Sequence, residues 1–149
     1  MTAKGSYALV VRLEQALEIK VGKLGLVRFP RGYYVYFGSA LNGLDRRIQR
    51  HLQREKILRW HIDYLTSSAP VVEVWRIADG ARWECVWARM AVEQAGVFVP
   101  ARGFGSSDCR CHTHLVGLAS RTRVNEFRRS LREYGGAGGR GLDIRRTVL

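Results

Sequence analysis

The hydrophobic and polar positions divide the chain into strand-like and helix-like stretches. Residues 5–13 (GSYALVVRL) are dominated by β-branched and aliphatic side chains and predict a strand. LEIKV at 17–21 and LVRF at 26–29 predict two shorter strands around a GKLG turn, and FPRG marks a further turn. Residues 33–40 (YYVYFGSA) alternate with a period of two, which predicts another strand with Tyr34 and Tyr36 on one face and Tyr33 on the other. In SALNGLDRRIQRHLQREK the period changes. Leu44, Ile48 and Leu52 form an apolar stripe at helical spacing, Asn42 is placed to cap, and Asp45 falls in the first turn, where the helix dipole favours an acid. Residues 57–66 (ILRWHIDYLT) predict a short helix or an aromatic-rich connector. After the break SSAP, VVEVWRIA predicts a strand. DGARWECVWARMAVEQAG predicts a helix whose Trp83, Val86, Trp87, Met90 and Ala91 share a face and which Gly96 ends. VFVPARGFGSSDCRCHTH reads as irregular and polar, with a short apolar run LVGLA behind it. Residues 121–134 predict a basic amphipathic helix with Val124, Phe127 and Leu131 on one side. GGAGGRG reads as a flexible linker and LDIRRTVL as a short basic tail.

This order implies an α/β (α+β) domain with a small central antiparallel sheet flanked by helices. Residues 1–120 are read as that domain and 121–149 as a basic C-terminal helix and tail. The chain has 149 residues, 46% hydrophobic and 26% charged, an ordinary globular composition. No apolar run approaches the roughly 20 residues of a membrane helix. The N-terminus MTAKGSYALVV carries one Lys and no small-residue cleavage site, so no signal peptide is read. Three cysteines, Cys85, Cys109 and Cys111, argue against a disulfide framework and for a reducing compartment. The net charge of +12 then adds direction. Arg far outnumbers Lys, and a strong positive field rich in guanidinium groups favours a polyanion, which points to nucleic acid; with no membrane-length apolar run, no membrane partner is expected.

The candidate chemistry lies where glycine, tyrosine and arginine recur in order. Gly5-Ser6-Tyr7 on one strand and Tyr36-Phe37-Gly38 on another are followed by the basic stretch SALNGLDRRIQRH. This ordered set resembles the GIY-YIG nuclease superfamily. With RWHIDYL, WECVWA and FGSSDCRCHTHL it is similar to a small branch that also occurs fused to endonuclease-III-like DNA glycosylases. The resemblance covers residues 4 to 117. The chain departs from the usual short hairpin between the motif strands, because LEIKVGKLGLVRF forms an inserted hairpin there.

The resemblance implies a metal-dependent endonuclease that hydrolyses DNA phosphodiesters to 5′-phosphate and 3′-hydroxyl ends. Such a reaction needs an activated water, a Lewis acid and cationic stabilisation of the developing charge. Tyr7 is the candidate general base, its proton loosened by a nearby metal and Arg, and Tyr36 the candidate for orienting water or phosphate. Arg47 and His51, four residues apart, share one edge of the apolar stripe. Arg47 is assigned to the scissile phosphate as a bidentate fork, and His51 to hydrogen-bond support or proton transfer. Arg46, Arg50 and Arg54 continue towards solvent and are assigned to flanking phosphates, as is His61 at the cleft. Glu84, a carboxylate among Trp83, Cys85 and Trp87, matches the superfamily's metal-binding Glu, and one Mg²⁺ or Mn²⁺ is expected on it.

In SSDCRCHTH, His114 is placed near the phosphate. Zinc is set aside, because C-x-C-H-x-H is too compact to wrap one ion and no second Cys/His pair completes it elsewhere. The expected setting is cytoplasmic and nucleoid-associated, with DNA favoured over RNA and a repair protein as a partner. The alternatives are a non-catalytic nucleic-acid-binding module that assists a repair enzyme, and a zinc-stabilised adaptor.

Overall fold

Tyr7, Leu9, Val11 and Leu13 alternate with Ala8 and Val10 along the first strand, and all six are buried. A strand covered on both faces has no solvent side, which is why this stretch is apolar almost without interruption. The computed structural model describes residues 3–134 and 141–149. In chain order its elements are β1 (Gly5–Leu13), β2 (Leu17–Lys20), β3 (Leu26–Phe29), β4 (Gly32–Ala40), α1 (Leu44–Leu52), α2 (His61–Thr66), β5 (Val71–Ile77), α3 (Glu84–Val92), β6 (Val97–Phe98), β7 (Leu115–Leu118), α4 (Arg121–Glu133) and β8 (Arg145–Val148).

Six strands form one antiparallel sheet in the order β6-β7-β4-β1-β5-β8. β2 and β3 pair separately as the inserted hairpin that the sequence predicts between the motif strands. The hairpin, α1, α2 and Phe104 cover the face bearing Tyr7, Leu9, Tyr34 and Tyr36. α3 and α4 cover the other face, burying Trp87, Ala91, Phe127 and Leu131 against Ala8, Val10, Phe37 and Trp75. The expected α+β domain with a central antiparallel sheet is therefore the fold, and four α-helices flank the sheet among the described residues.

β1 and β4 pair with Tyr7 directly opposite Gly38 and Leu9 opposite Tyr36. The glycine has a steric reason. A Cβ at position 38 would lie 2.5 Å from the Tyr7 Cζ and hydroxyl, so the phenol lies flat only over a residue without a side chain. Gly5 is equally confined, because a Cβ there would run into the Ile77 carbonyl and lie 2.7 Å from Leu44 Cδ2.

Two local expectations change. α1 starts at Leu44 after Gly43 in the left-handed region (φ +65°), with no side-chain cap from Asn42. The Leu44 N–H goes to the Ala3 carbonyl at 3.1 Å instead. The C-terminal segment is not a separate tail either. α4 buries Val124, Phe127 and Leu131, and LDIRRTVL supplies β8, which pairs with β5 from Glu73↔Val148 to Arg76↔Arg145. Buried Glu73 helps to hold this corner. It accepts from Trp75 Nε1 at 3.0 Å and Arg128 at 3.1 Å, pairs with Arg121 at 3.3 Å, and also takes Arg146 of β8. The expected linker, apart from Gly141, lies outside the described residues.

Candidate functional site

Tyr7 from β1, Tyr36 from β4, Arg47 from α1 and Glu84 from α3 line one cleft of about 400 Å³, with Gly38, Ser39, Trp60 and Arg82 among its walls. Each element delivers its residue for a local reason. The strand register puts both phenols on the same face of the sheet. The stripe Leu44–Ile48 pins α1 to that face, so Arg47 emerges at its border with solvent. The buried Ser6 hydroxyl accepts the Trp83 N–H at 2.9 Å, fixing the entry of α3 and with it Glu84.

His51 is not in the cleft wall but behind it. It is 1% exposed, and its Nε2 shares a hydrogen bond of 2.7 Å with the Tyr7 hydroxyl. Burial pushes the imidazole down to about 3, against the pull of the Asp63 carboxylate, so it is neutral. Its Nδ1 lies 4.0 Å from Asp63 Oδ1, beyond hydrogen-bond reach, and is buried without a hydrogen-bond partner among the described residues. Asp63 is itself fully buried. Burial alone would raise its carboxyl, but the Arg50 fork and the N–H groups of Trp60 and Arg59 overcome this and hold it below the ordinary carboxylate value. Tyr7, His51 and Asp63 thus stand in a row, with a hydrogen bond between the first two and a charge contact between the last two.

Without a metal, burial raises the Tyr7 phenol well above the ordinary value, Arg47 pulls it down only in part, and Glu84 and Asp63 add to the rise. Burial raises Tyr36 in the same way, with Tyr7 and Glu84 adding to it. Tyr34 belongs to packing: it is buried, and its hydroxyl donates to the Pro30 carbonyl.

Arg47 is half-buried, donates to the Ser39 carbonyl at 3.2 Å, and stacks 4.8 Å above the Trp60 ring. Glu84 Oε1 accepts from Ser39 Oγ at 2.7 Å and from Arg82 at 2.8 Å, whereas Oε2 has only His114 Nδ1, at 3.8 Å. One carboxylate oxygen thus keeps its lone pairs. That fits a hard cation bound through a single carboxylate, water and phosphate oxygens.

His114 is buried, and its other nitrogen meets sulfur. Nε2 lies 3.7 Å from Cys85 Sγ and 3.4 Å from Cys109 Sγ. One donor atom from each of Cys85, Cys109, Cys111 and His114 lies within 4.8 Å of all the others, so the four could hold a metal ion. No second Cys/His pair is expected to join the CRCHTH segment, and none is needed: a single residue, Cys85 in the first turn of α3, brings the cluster to four donors that could hold a metal ion. His112 is exposed and takes no part. Burial, followed by the two neighbouring thiols, pushes the Cys111 thiol up to about 12.

A family model described as "Domain of unknown function DUF123" matches residues 6–135. The chain belongs to the DUF123 family. No curated protein matches it, and no solved structure does. The match takes in every element that lines the cleft, together with α4.

The remaining residues expected to hold phosphate fall into two groups in this DUF123 domain. Arg46 and Arg54 are exposed and do not line the cleft. Arg50 is committed elsewhere: it forks onto Asp63 at 3.1 and 3.0 Å and stacks 4.2 Å over Trp60. His61 accepts the Gly105 N–H at 2.8 Å and lines a neighbouring hollow with Tyr64 and Arg59, outside the main cleft. Sequence reasoning missed Ser39 and Arg82 on Glu84, and missed Asp63 as the support of both His51 and Arg50.

Proposed function

We propose that this DUF123 domain is a divalent-metal-dependent endonuclease of the GIY-YIG type, acting on DNA. One observation carries the proposal: two phenols, a guanidinium and an acid from four separate elements line a single basic-rimmed cleft. Arg47, whose planar fork suits a phosphate, would grip the scissile phosphoryl oxygens and offset the charge that develops on them. Tyr36 would orient the attacking water. Tyr7 would take the water's proton while passing its own to neutral His51, whose charge Asp63 then offsets. Glu84 would hold Mg²⁺ or Mn²⁺, which supplies Lewis acidity at the phosphate and a lowered pKa for bound water. In-line attack would leave 5′-phosphate and 3′-hydroxyl ends, and Arg46 and Arg54 would hold the flanking backbone.

Among the described residues no helix is long and apolar enough to cross a membrane. A cytoplasmic, nucleoid-associated role in DNA repair or processing, beside a repair protein, fits the net charge of +12.

The test is cleavage of labelled single-stranded, duplex and branched DNA, with RNA in parallel, in Mg²⁺ and Mn²⁺. The expected result is metal-dependent cleavage that Arg47→Ala and Glu84→Ala each lower by at least about a hundredfold. Salt-sensitive binding without cleavage would instead make the domain a non-catalytic module assisting a repair enzyme.

A further inference from the structure

We propose that Cys85, Cys109, Cys111 and His114 form a structural zinc site that fastens the start of α3 to the loop preceding β7. The geometry fits the ion. A tetrahedral zinc with Zn–S of about 2.3 Å and Zn–N of about 2.0 Å has S···N edges of roughly 3.5 Å and S···S edges of roughly 3.8 Å. Two of the three S···N separations are 3.4 and 3.7 Å, and all four donors lie within 4.8 Å of one another. Three soft thiolates and an imidazole select zinc over the hard cation expected on Glu84. Four protein ligands leave no open position, so the ion is structural and does no hydrolysis of its own.

The fold also supplies a need. Residues 99–114 join β6 to β7 without regular structure, a stretch longer than the roughly 12–15 residues at which irregular loops become uncommon. Its large buried apolar side chain is Phe104. The backbone is nevertheless held in place: Gly103 N–H donates to the His112 carbonyl at 2.7 Å, His114 N–H to the Phe104 carbonyl at 2.8 Å, and Phe37 N–H to the His114 carbonyl at 3.0 Å. Those bonds present the ligands from one side, while α3 brings Cys85 from the other. With Nε2 on zinc, His114 carries its proton on Nδ1, which faces Glu84 Oε2 at 3.8 Å. Zinc-bound imidazoles commonly turn their free N–H towards a carboxylate, and Glu84 is the carboxylate on that side of His114.

The experiment measures metal in the full chain, purified under reducing conditions from zinc-supplemented cells without chelator. Elemental analysis should find one zinc per chain, and a mercurial that blocks thiols should release it to a coloured chelator. Exchange for Co²⁺ should give thiolate charge-transfer bands and the intense visible absorption of a tetrahedral site. Cys111→Ser should weaken zinc retention by more than about tenfold, whereas His112→Ala should leave it unchanged. His114→Cys should retain zinc and shift the Co²⁺ spectrum.

A metal-free protein that takes up neither zinc nor Co²⁺ overturns the proposal. So does bound iron, or a Cys85–Cys111 disulfide in the reduced preparation. If Cys111→Ser fails to fold, the wild-type metal content and Co²⁺ spectrum still decide. None of these readouts involves DNA, so the site and the nuclease reading stand or fall separately.

Discussion

At the scale of single residues, Tyr7 can serve as a base only if something stands ready to take its proton. Burial holds that proton tightly, and in the proposed reaction His51, neutral and 2.7 Å away, would be the acceptor. Burial places the imidazole near 3, not at its ordinary 6.5, so cleavage should show no acid limb around pH 6.5 at fixed metal. His51→Asn and Tyr7→Phe should each lower kcat by about 10²–10⁴-fold with little change in KM. A wild-type rate in His51→Asn, or a limb at 6.5, would remove the relay. Arg47 and His51 were legible as a pair because they stand four apart on a basic helix. Asp63 was not, because it reaches His51 from α2, and nothing local marks a partner in another element. Arg50 was misread for the same reason: its partner is that same distant Asp63.

At the scale of elements, Glu73 joins β5 to α4 and β8. Glu73→Gln leaves the arginines around a buried site without their anion and should cost about 3–5 kcal/mol in urea unfolding. Removing Arg12, whose ion pair with Glu14 is on the surface, should cost less than about 1 kcal/mol. The dependence on pH has a definite sign. Burial alone would raise the Glu73 carboxyl, but Trp75 and the arginines hold it below its ordinary 4.5. Its contribution is therefore complete above that value and is lost as pH falls through the folded value. His51 acts in the same direction over a higher window: between 6.5 and about 3 the unfolded chain binds a proton that the buried ring refuses. Melting temperatures taken from about pH 8 to about pH 3 should fall in two stages, the first absent in His51→Asn.

Strands β1 and β4 were readable because apolar runs and two-residue alternation leave a mark in the sequence. β8 was not, because all four of its residues are exposed and carry no such pattern. Cys85 was overlooked as a partner of Cys109 because only the packing of α3 across the sheet brings the two together.

At the scale of the molecule, three layers share one sheet whose last strand comes from the last residues of the chain. The boundary drawn at residue 120 would strip the cover from Phe37 and Trp75, which pack against Phe127. A milder cut is more informative. A chain ending at Tyr134 keeps α4 and loses β8, and it should elute from gel filtration as species that grow with concentration. A monomer with an unchanged cooperative melt would contradict this.

The order of the strands explains that outcome. One flank of the sheet ends in β6, only two residues long, and the other in β8, which bears Arg145 and Arg146. Short or charged margins give another molecule little backbone to zip onto. Without β8, the seven apolar-rich residues of β5 would lie open as a template for intermolecular strand addition. By pairing along β5, the final strand closes that seam and is expected to guard against self-recruitment.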